Sequence, residues 1–282
     1  MDYRRRMQSP KSDSITVITP SQRLWPMTPA EFWQWREAFY RLVIRDFQVR
    51  FRDTYLGYLW VIIQPLALML VFSVFIRKDA FEGVGISSTN YILSGLVFWF
   101  FIVNSFNQAC LSLVDNRSLV MQTNLKRALF TLSAIAAKIF DLIIGVLFLL
   151  VWILVNSPGS FSAKSPLILL DIVGIFISLI GLGWFFAALC VQFKDVRFTI
   201  PFISQLLFFA TPVFYVVPDK PIRWVLFLNP FTSFILGIRD HLFGTNLIPT
   251  ELYLQGWAIS LMFFVLGGLV FRRCEKNFAD MI

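Results

Sequence analysis

The chain has 282 residues, of which 57% are hydrophobic and 15% charged, with 32 phenylalanines and 9 tryptophans. A soluble globular chain carries about 45–50% apolar and about 25% charged residues, and disorder needs fewer apolar residues still, so both are excluded in favour of an integral membrane protein. The net charge of +8 is then read first as a bias of membrane loops, before any nucleic-acid partner is invoked.

Arg4, Arg5 and Arg6 are followed by a polar, proline-bearing stretch rather than a short apolar run, so no cleavable secretory signal is read. Residues 1–30 are expected to form a flexible cytosolic tail. From Glu31 the pattern changes. Phe32, Trp35, Phe39, Leu42, Val43 and Phe47 recur at spacings of three and four, with Glu37, Arg41, Arg45 and Arg52 opposite. That periodicity predicts an amphipathic helix within 31–55 lying along the cytosolic membrane interface.

A crossing helix needs about 20 mostly apolar residues. Six stretches qualify within a membrane domain at 56–272: Tyr58–Ile76, Tyr91–Val114, Ile135–Val155, Leu167–Val191, Phe198–Val217 and Gln255–Phe271. Pro65, Pro201 and Pro212 lie inside them, which membrane helices tolerate when neighbours re-satisfy the freed carbonyls. The apolar stretch from Ile222 to Phe243 is interrupted by Asn229-Pro230. The residue before a proline is biased away from helix, so two short helices are expected there, Ile222–Leu228 and Phe231–Phe243. Neither spans alone at about 1.5 Å per residue, and a re-entrant gate within 218–250 is expected.

Charge sorting agrees with this count. With six spans and both termini cytosolic, all of the 25 basic residues except Arg77, Lys78, Lys164, Lys220, Arg223 and Arg239 fall inside. A seventh span would put Arg272, together with Arg273 and Lys276 of the cytosolic tail expected at 273–282, on the wrong side. No nucleic-acid partner is needed. Cys110, Cys190 and Cys274 show no metal-ligand spacing and are expected to be buried small hydrophobes.

The chemistry the sequence lacks narrows the function. Lys138, Asp141 and Asp171 lie near span ends and are expected to anchor at the interface, Lys138 and Asp141 being spaced to pair on one helix face, so no strong ion path is read. No phosphate-binding loop, no Asp-x-Asp pair and no partner for the lone His241 are visible. Such a protein is passive or draws energy from a partner. Two segments could dock one: the amphipathic helix, through Arg41, Arg45 and Asp46, and the loop at 115–134, through Asn124, Lys126 and Arg127.

Four sets of residues carry a family resemblance. They are Arg45-Asp46, Val49-Arg50-Phe51 and Leu56-Gly57-Tyr58-Leu59-Trp60 with Gln64-Pro65; Ser94-Gly95-Leu96-Val97-Phe98-Trp99; Val191-Gln192-Phe193-Lys194-Asp195-Val196-Arg197 with Pro201 and Thr211-Pro212-Val213-Phe214-Tyr215; and Asn229-Pro230 with Arg239 nine residues on. In order and spacing the chain resembles the transmembrane (permease) subunits of ABC-type polysaccharide exporters, the O-antigen/lipopolysaccharide and teichoic-acid branch, from about Glu31 to its end. That family's Phe-Pro-Arg coupling element is replaced here by Asn124-Leu125-Lys126-Arg127-Ala128-Leu129-Phe130.

The resemblance implies an all-α homodimer of six-span subunits in the bacterial inner membrane. It implies two ATP-binding cassette subunits, which hold ATP and Mg while this chain binds no cofactor, and a lipid-linked polysaccharide cargo, O-antigen foremost. It also implies a coupling helix after the second span, and gate residues Asn229, Pro230 and Arg239. Rings stack on the CH faces of sugars, so Phe98, Trp99, Phe208, Phe209, Phe214, Tyr215, Trp224 and Phe231 are candidate channel contacts. Export of capsule, teichoic acid, drugs or small lipids is the related alternative, and a passive scaffold or channel the alternative of another class.

Overall fold

The computed structural model describes residues 25–51, 54–217, 222–275 and Phe278, and every described element is a helix or a connecting segment. Thr28 opens α1 (Pro29–Gln34): its hydroxyl accepts from the Glu31 amide while the Glu31 carboxylate accepts from the Thr28 amide, a reciprocal cap at a helix start. The helix breaks at Trp35 and resumes as α2 (Arg36–Phe51). The expected interface helix is therefore two pieces. Its apolar face lies on protein: Leu42 and Val43 are buried, and α2 packs along α6 (Ala128–Ala137). The bundle supplies the apolar surface that the sequence reading assigned to lipid.

Of the tail expected at 1–30, residues 1–24 lie outside the described residues. The rest is docked. Met27 is buried, and the Trp25 ring lies 5.2 Å from Phe264 and 6.3 Å from Trp184.

Among the described residues, five helical stretches are long and apolar enough to cross a membrane: Gly57–Phe75, Ser88–Asp115, Ala128–Asn156, Ser165–Gln192 and Thr250–Glu275. They contain α3 (Trp60–Phe75), α4 (Ser88–Asp115), α6 with α7 (Ile139–Asn156), α8 (Ile168–Gln192) and α12 (Thr250–Glu275). Between α4 and α6 lies the short α5 (Arg117–Gln122). The expected fifth span, Phe198–Val217, folds instead as α9 (Lys194–Ala210), 17 residues. That is about 26 Å of helix, under the roughly 30 Å hydrocarbon core. Pro212 explains the stop, since the residue before a proline leaves helical geometry. Then come α10 (Ile222–Leu226) and the 14-residue α11 (Pro230–Phe243).

The central helix is α8, which packs against α12, α4, α11 and α6. Its small residues explain why. A Cβ on Gly181 would strike the Phe263 backbone, and one on Gly267 would strike the Gly181 carbonyl. Ser178 donates to Ser260 at 2.8 Å beside this crossing. In lipid no hydrophobic force separates helix from solvent, so close backbone approach and interhelical hydrogen bonds supply the cohesion.

Two ends of the bundle are distinct. At one, α2, the start of α6 and the last turns of α8 and α12 meet: Lys126 reaches Glu31 at 3.3 Å, Arg127 donates to the Glu275 carbonyl at 2.5 Å, and Gln192 donates to the Cys274 sulfur at 3.3 Å. At the other, Ser162 after α7 donates to the Leu242 carbonyl at the end of α11 at 2.9 Å. The chain turns between them. Asn229 at the start of α11 donates to Thr211 just after α9 at 2.8 Å. The segment after α9 then approaches the start of α4, where the Tyr91 hydroxyl donates to the Tyr215 carbonyl at 3.0 Å.

Candidate functional site

The break after α9 leaves carbonyls without helical partners, and Arg239 of α11 takes them. Its Nη1 donates to Pro212 at 2.7 Å, and its Nη2 to Val213 at 2.8 Å and Tyr91 at 3.0 Å. The guanidinium also lies 3.6 Å from the Tyr91 ring centroid. Arg239 is fully buried. A forked, permanently charged donor set suits this position because several acceptors converge there and water is excluded. Gly95 of α4 makes room: a Cβ there would collide with the Arg239 guanidinium and lie 2.7 Å from the Val213 carbonyl.

Asn229 and Pro230 build the other side of the break. The Asn229 side chain accepts from the Phe231 amide at 3.1 Å, and Pro230 sits at the first helical position, where its missing N–H costs nothing. Asp240, next to Arg239, accepts from Thr245 at 2.6 Å and from the Leu247 and Ile248 amides at 2.7 and 3.0 Å. The three expected gate residues thus hold one turn-back: Asn229 and Pro230 shape one corner of it and Arg239 ties its returning segment to α4.

Most of the candidate aromatics gather against that segment. Phe214 lies 5.2 Å from Phe208, 6.1 Å from Phe209 and 5.3 Å from Tyr215, and Trp99 lies 5.5 Å from Phe208. Phe72, in the last turn of α3, stacks on Phe214 at 4.7 Å and 8°; it was not among the expected contacts, and one phenylalanine of an apolar span carries no signal of its partner in sequence. Phe209 is exposed, whereas Phe98, Trp99 and Phe231 are buried in the core of this chain. The Trp224 side chain lies outside the described residues. Beside the break is an apolar cavity of about 590 Å³, bordered by Phe106, Phe186, Leu207, Asn229, Phe231 and Gly267 among others.

At the opposite end the expected docking residues share one surface without forming one cluster. Arg41 is exposed and pairs with Glu37 at 2.6 Å. Arg45 grips Asp46 through Nε and Nη2 at 3.0 and 2.6 Å, and its Nη2 also donates to the Asn116 side-chain Oδ1 at 2.6 Å. Asn124 is exposed in the linker between α5 and α6, Lys126 holds Glu31, and the Arg127 guanidinium lies 5.7 Å from the Phe278 ring. The Thr28 amide and the lysine together hold the Glu31 carboxyl below its ordinary value of 4.5.

Three expectations about titratable residues need correction. His241 is not alone: its Nδ1 lies 2.7 Å from Asp171 Oδ2, and Tyr253 donates to Asp171 Oδ1 at 2.8 Å. Asp171 is fully buried rather than anchored at an interface. The three residues come from α8, α11 and α12, so no local spacing could reveal them. Lys138 does not bond to Asp141, which pairs with Arg50 from α2. The three cysteines are free and buried.

A family model described as ABC-2 type transporter matches residues 37–243. The chain is 25% identical over 244 residues to the O-antigen export system permease protein RfbA of Klebsiella pneumoniae, covering 84% of this chain and 92% of that one. It is 23% identical over 257 residues to the O-antigen export system permease protein RfbA of Myxococcus xanthus, covering 89% and 98%.

Proposed function

Because the chain belongs to the ABC-2 type transporter family, we propose that it is the permease subunit of an ATP-driven exporter of lipid-linked polysaccharide, with O-antigen as its cargo. It is a multi-pass membrane protein and the membrane component of a transporter. The observation that carries the cargo is similarity to O-antigen export permeases over nearly their whole length.

In this reading two copies of the chain form the pathway in the bacterial inner membrane, and two ATPase subunits carrying ATP and Mg dock at the end where α2, α5 and α12 converge. That end is cytosolic. Its basic residues, among them Arg36, Arg41, Arg117, Lys126, Arg127 and Arg273, support the assignment through the positive-inside bias. Six crossings follow if α9 and the segment after it together serve as the fifth. The pair α10 and α11 then dips in and returns as a gate, held by Asn229, Pro230 and Arg239. The α2 rod and α5 pass movement of the ATPases into α4 and α6. Phe208, Phe209, Phe214 and Tyr215, on the turn-back segment and the helix before it, offer weak, repeated ring contacts along which a glycan slides without being trapped.

The reading is tested by purifying the tagged chain from solubilised membranes. A nucleotide-binding ATPase subunit should copurify in equal amount. Recovery of the chain without any such subunit would favour the passive scaffold.

A further inference from the structure

A polar crevice of about 580 Å³ opens between α2, α4, α5 and the junction of α6 with α7. Its charged lining is Arg45, Asp46, Arg50, Asp115 and Lys138. Arg50 is committed to Asp141, and Arg45 engages Asp46 and Asn116 through Nε and Nη2 only. Lys138 is not held in this way. It sits at the junction of α6 and α7, 6% exposed. Among the described residues its ammonium makes no hydrogen bond or ion pair. Asp46 and Asp141 are near it, but each is already held by an arginine. Asp115 stands exposed at the crevice edge.

Burying a cation is costly unless a counter-charge or acceptors meet it. An ammonium has three donors to fill. Beside it the Gln108 carboxamide lines the same space and makes no hydrogen bond among the described residues. Arg45 keeps its Nη1 unbonded there. Three donor groups thus face one cavity, and an acceptor-rich anion would satisfy them together. A tetrahedral phosphate presents several oxygens at once and suits that set better than a single carboxylate.

The surroundings say what carries the phosphate. One residue beyond Lys138 begins an exposed apolar stripe down α7: Ile139, Ile143, Leu147, Val151 and Leu154. Phe47 of α2 covers its head, 4.3 Å from Phe140. A polar pocket at the head of an apolar, lipid-length helix face matches a headgroup with chains below it. We propose that this crevice binds a phosphate group carried on a lipid, with Lys138 as the central cation and Gln108 and Arg45 beside it. The assignment does not rest on which cargo is exported.

The test uses the full-length chain purified in a neutral detergent and titrated with short-chain phosphatidylglycerol, the matching diacylglycerol, inorganic phosphate and a polyprenyl diphosphate, read by native mass spectrometry. Phosphatidylglycerol should bind saturably. Lys138→Gln should weaken it about ten-fold, the scale of a lost charge-assisted bond, and Lys138→Arg should keep it within about three-fold. Gln108→Glu, on a partly exposed helix face, adds a repelling charge without truncation; it should weaken binding several-fold and carries the test if Lys138→Gln does not fold. Tighter, Lys138-dependent binding of the polyprenyl diphosphate also supports the site and names a carrier lipid as its ligand. Equal binding of diacylglycerol, equal binding of inorganic phosphate alone, or binding unchanged in both variants would overturn it.

Discussion

Arg239 shows how much one residue does here. No carboxylate contacts it among the described residues, and its charge is met by three carbonyls and the Tyr91 ring. Arg239→Met leaves the Pro212 and Val213 carbonyls buried without that donor, at about 1–3 kcal/mol each, while Tyr91 keeps the Ser94 hydroxyl, so thermal melting in detergent should show a loss of about 2 kcal/mol or more. Gly95→Ala should cost about 1–3 kcal/mol by overpacking. The two losses should sum to less than their separate values, because the guanidinium that a Cβ strikes is absent in the double variant. Glu31 gives a pH signature. Its carboxyl is held low by the Thr28 amide first, with Lys126 adding to the effect. The ionised cap therefore stabilises at neutral pH, and that contribution is lost as pH falls through the lowered value, below 4.5. Glu31→Gln should melt lower than the unaltered chain at pH 7, and the difference should vanish in acid. Asn229-Pro230 with Arg239 nine residues on was legible as a spacing. What Arg239 binds was not, because Tyr91 lies 148 positions away.

Among elements, the apolar runs announced themselves wherever they were long. Four of the expected spans overlap α3, α4, α8 and α12, and the third lies within the stretch that joins α6 to α7. The exception is instructive. Hydropathy carried the fifth expectation through Pro212 to Val217, whereas the backbone stops at Ala210, because the proline overrides composition. The amphipathic reading of α2 identified the correct face and misjudged its partner, since periodicity reports an apolar face without saying what covers it. Two predictions belong to this scale. Gly267→Leu should separate α8 from α12 and lower the melting temperature sharply, while Leu254→Ala, at an exposed position of α12, should leave it nearly unchanged. Val43→Pro should break the α2 rod, at about 3 kcal/mol locally, and uncouple ATP hydrolysis from export while the remaining spans still insert. Export retained after that change would remove α2 from the transmission path.

For the whole molecule, composition specified a membrane protein, and charge sorting supports the orientation proposed for it, while the site is dispersed over distant parts of the chain. The turn-back after α9, the aromatic group around Phe214 and the basic end of the bundle are joined through α4 and α8, the two helices that most of the others touch. Movement imposed at α2 and α5 therefore has a continuous packed route to the segment that Arg239 holds. A bacterium lacking this chain provides the most direct test of the exporter reading, with surface polysaccharide and lipid-linked glycan measured on each side of the inner membrane. Loss of the surface polymer, with the lipid-linked glycan accumulating on the cytosolic side until the chain is restored, is the predicted result. An unchanged surface polysaccharide with no internal glycan would contradict it.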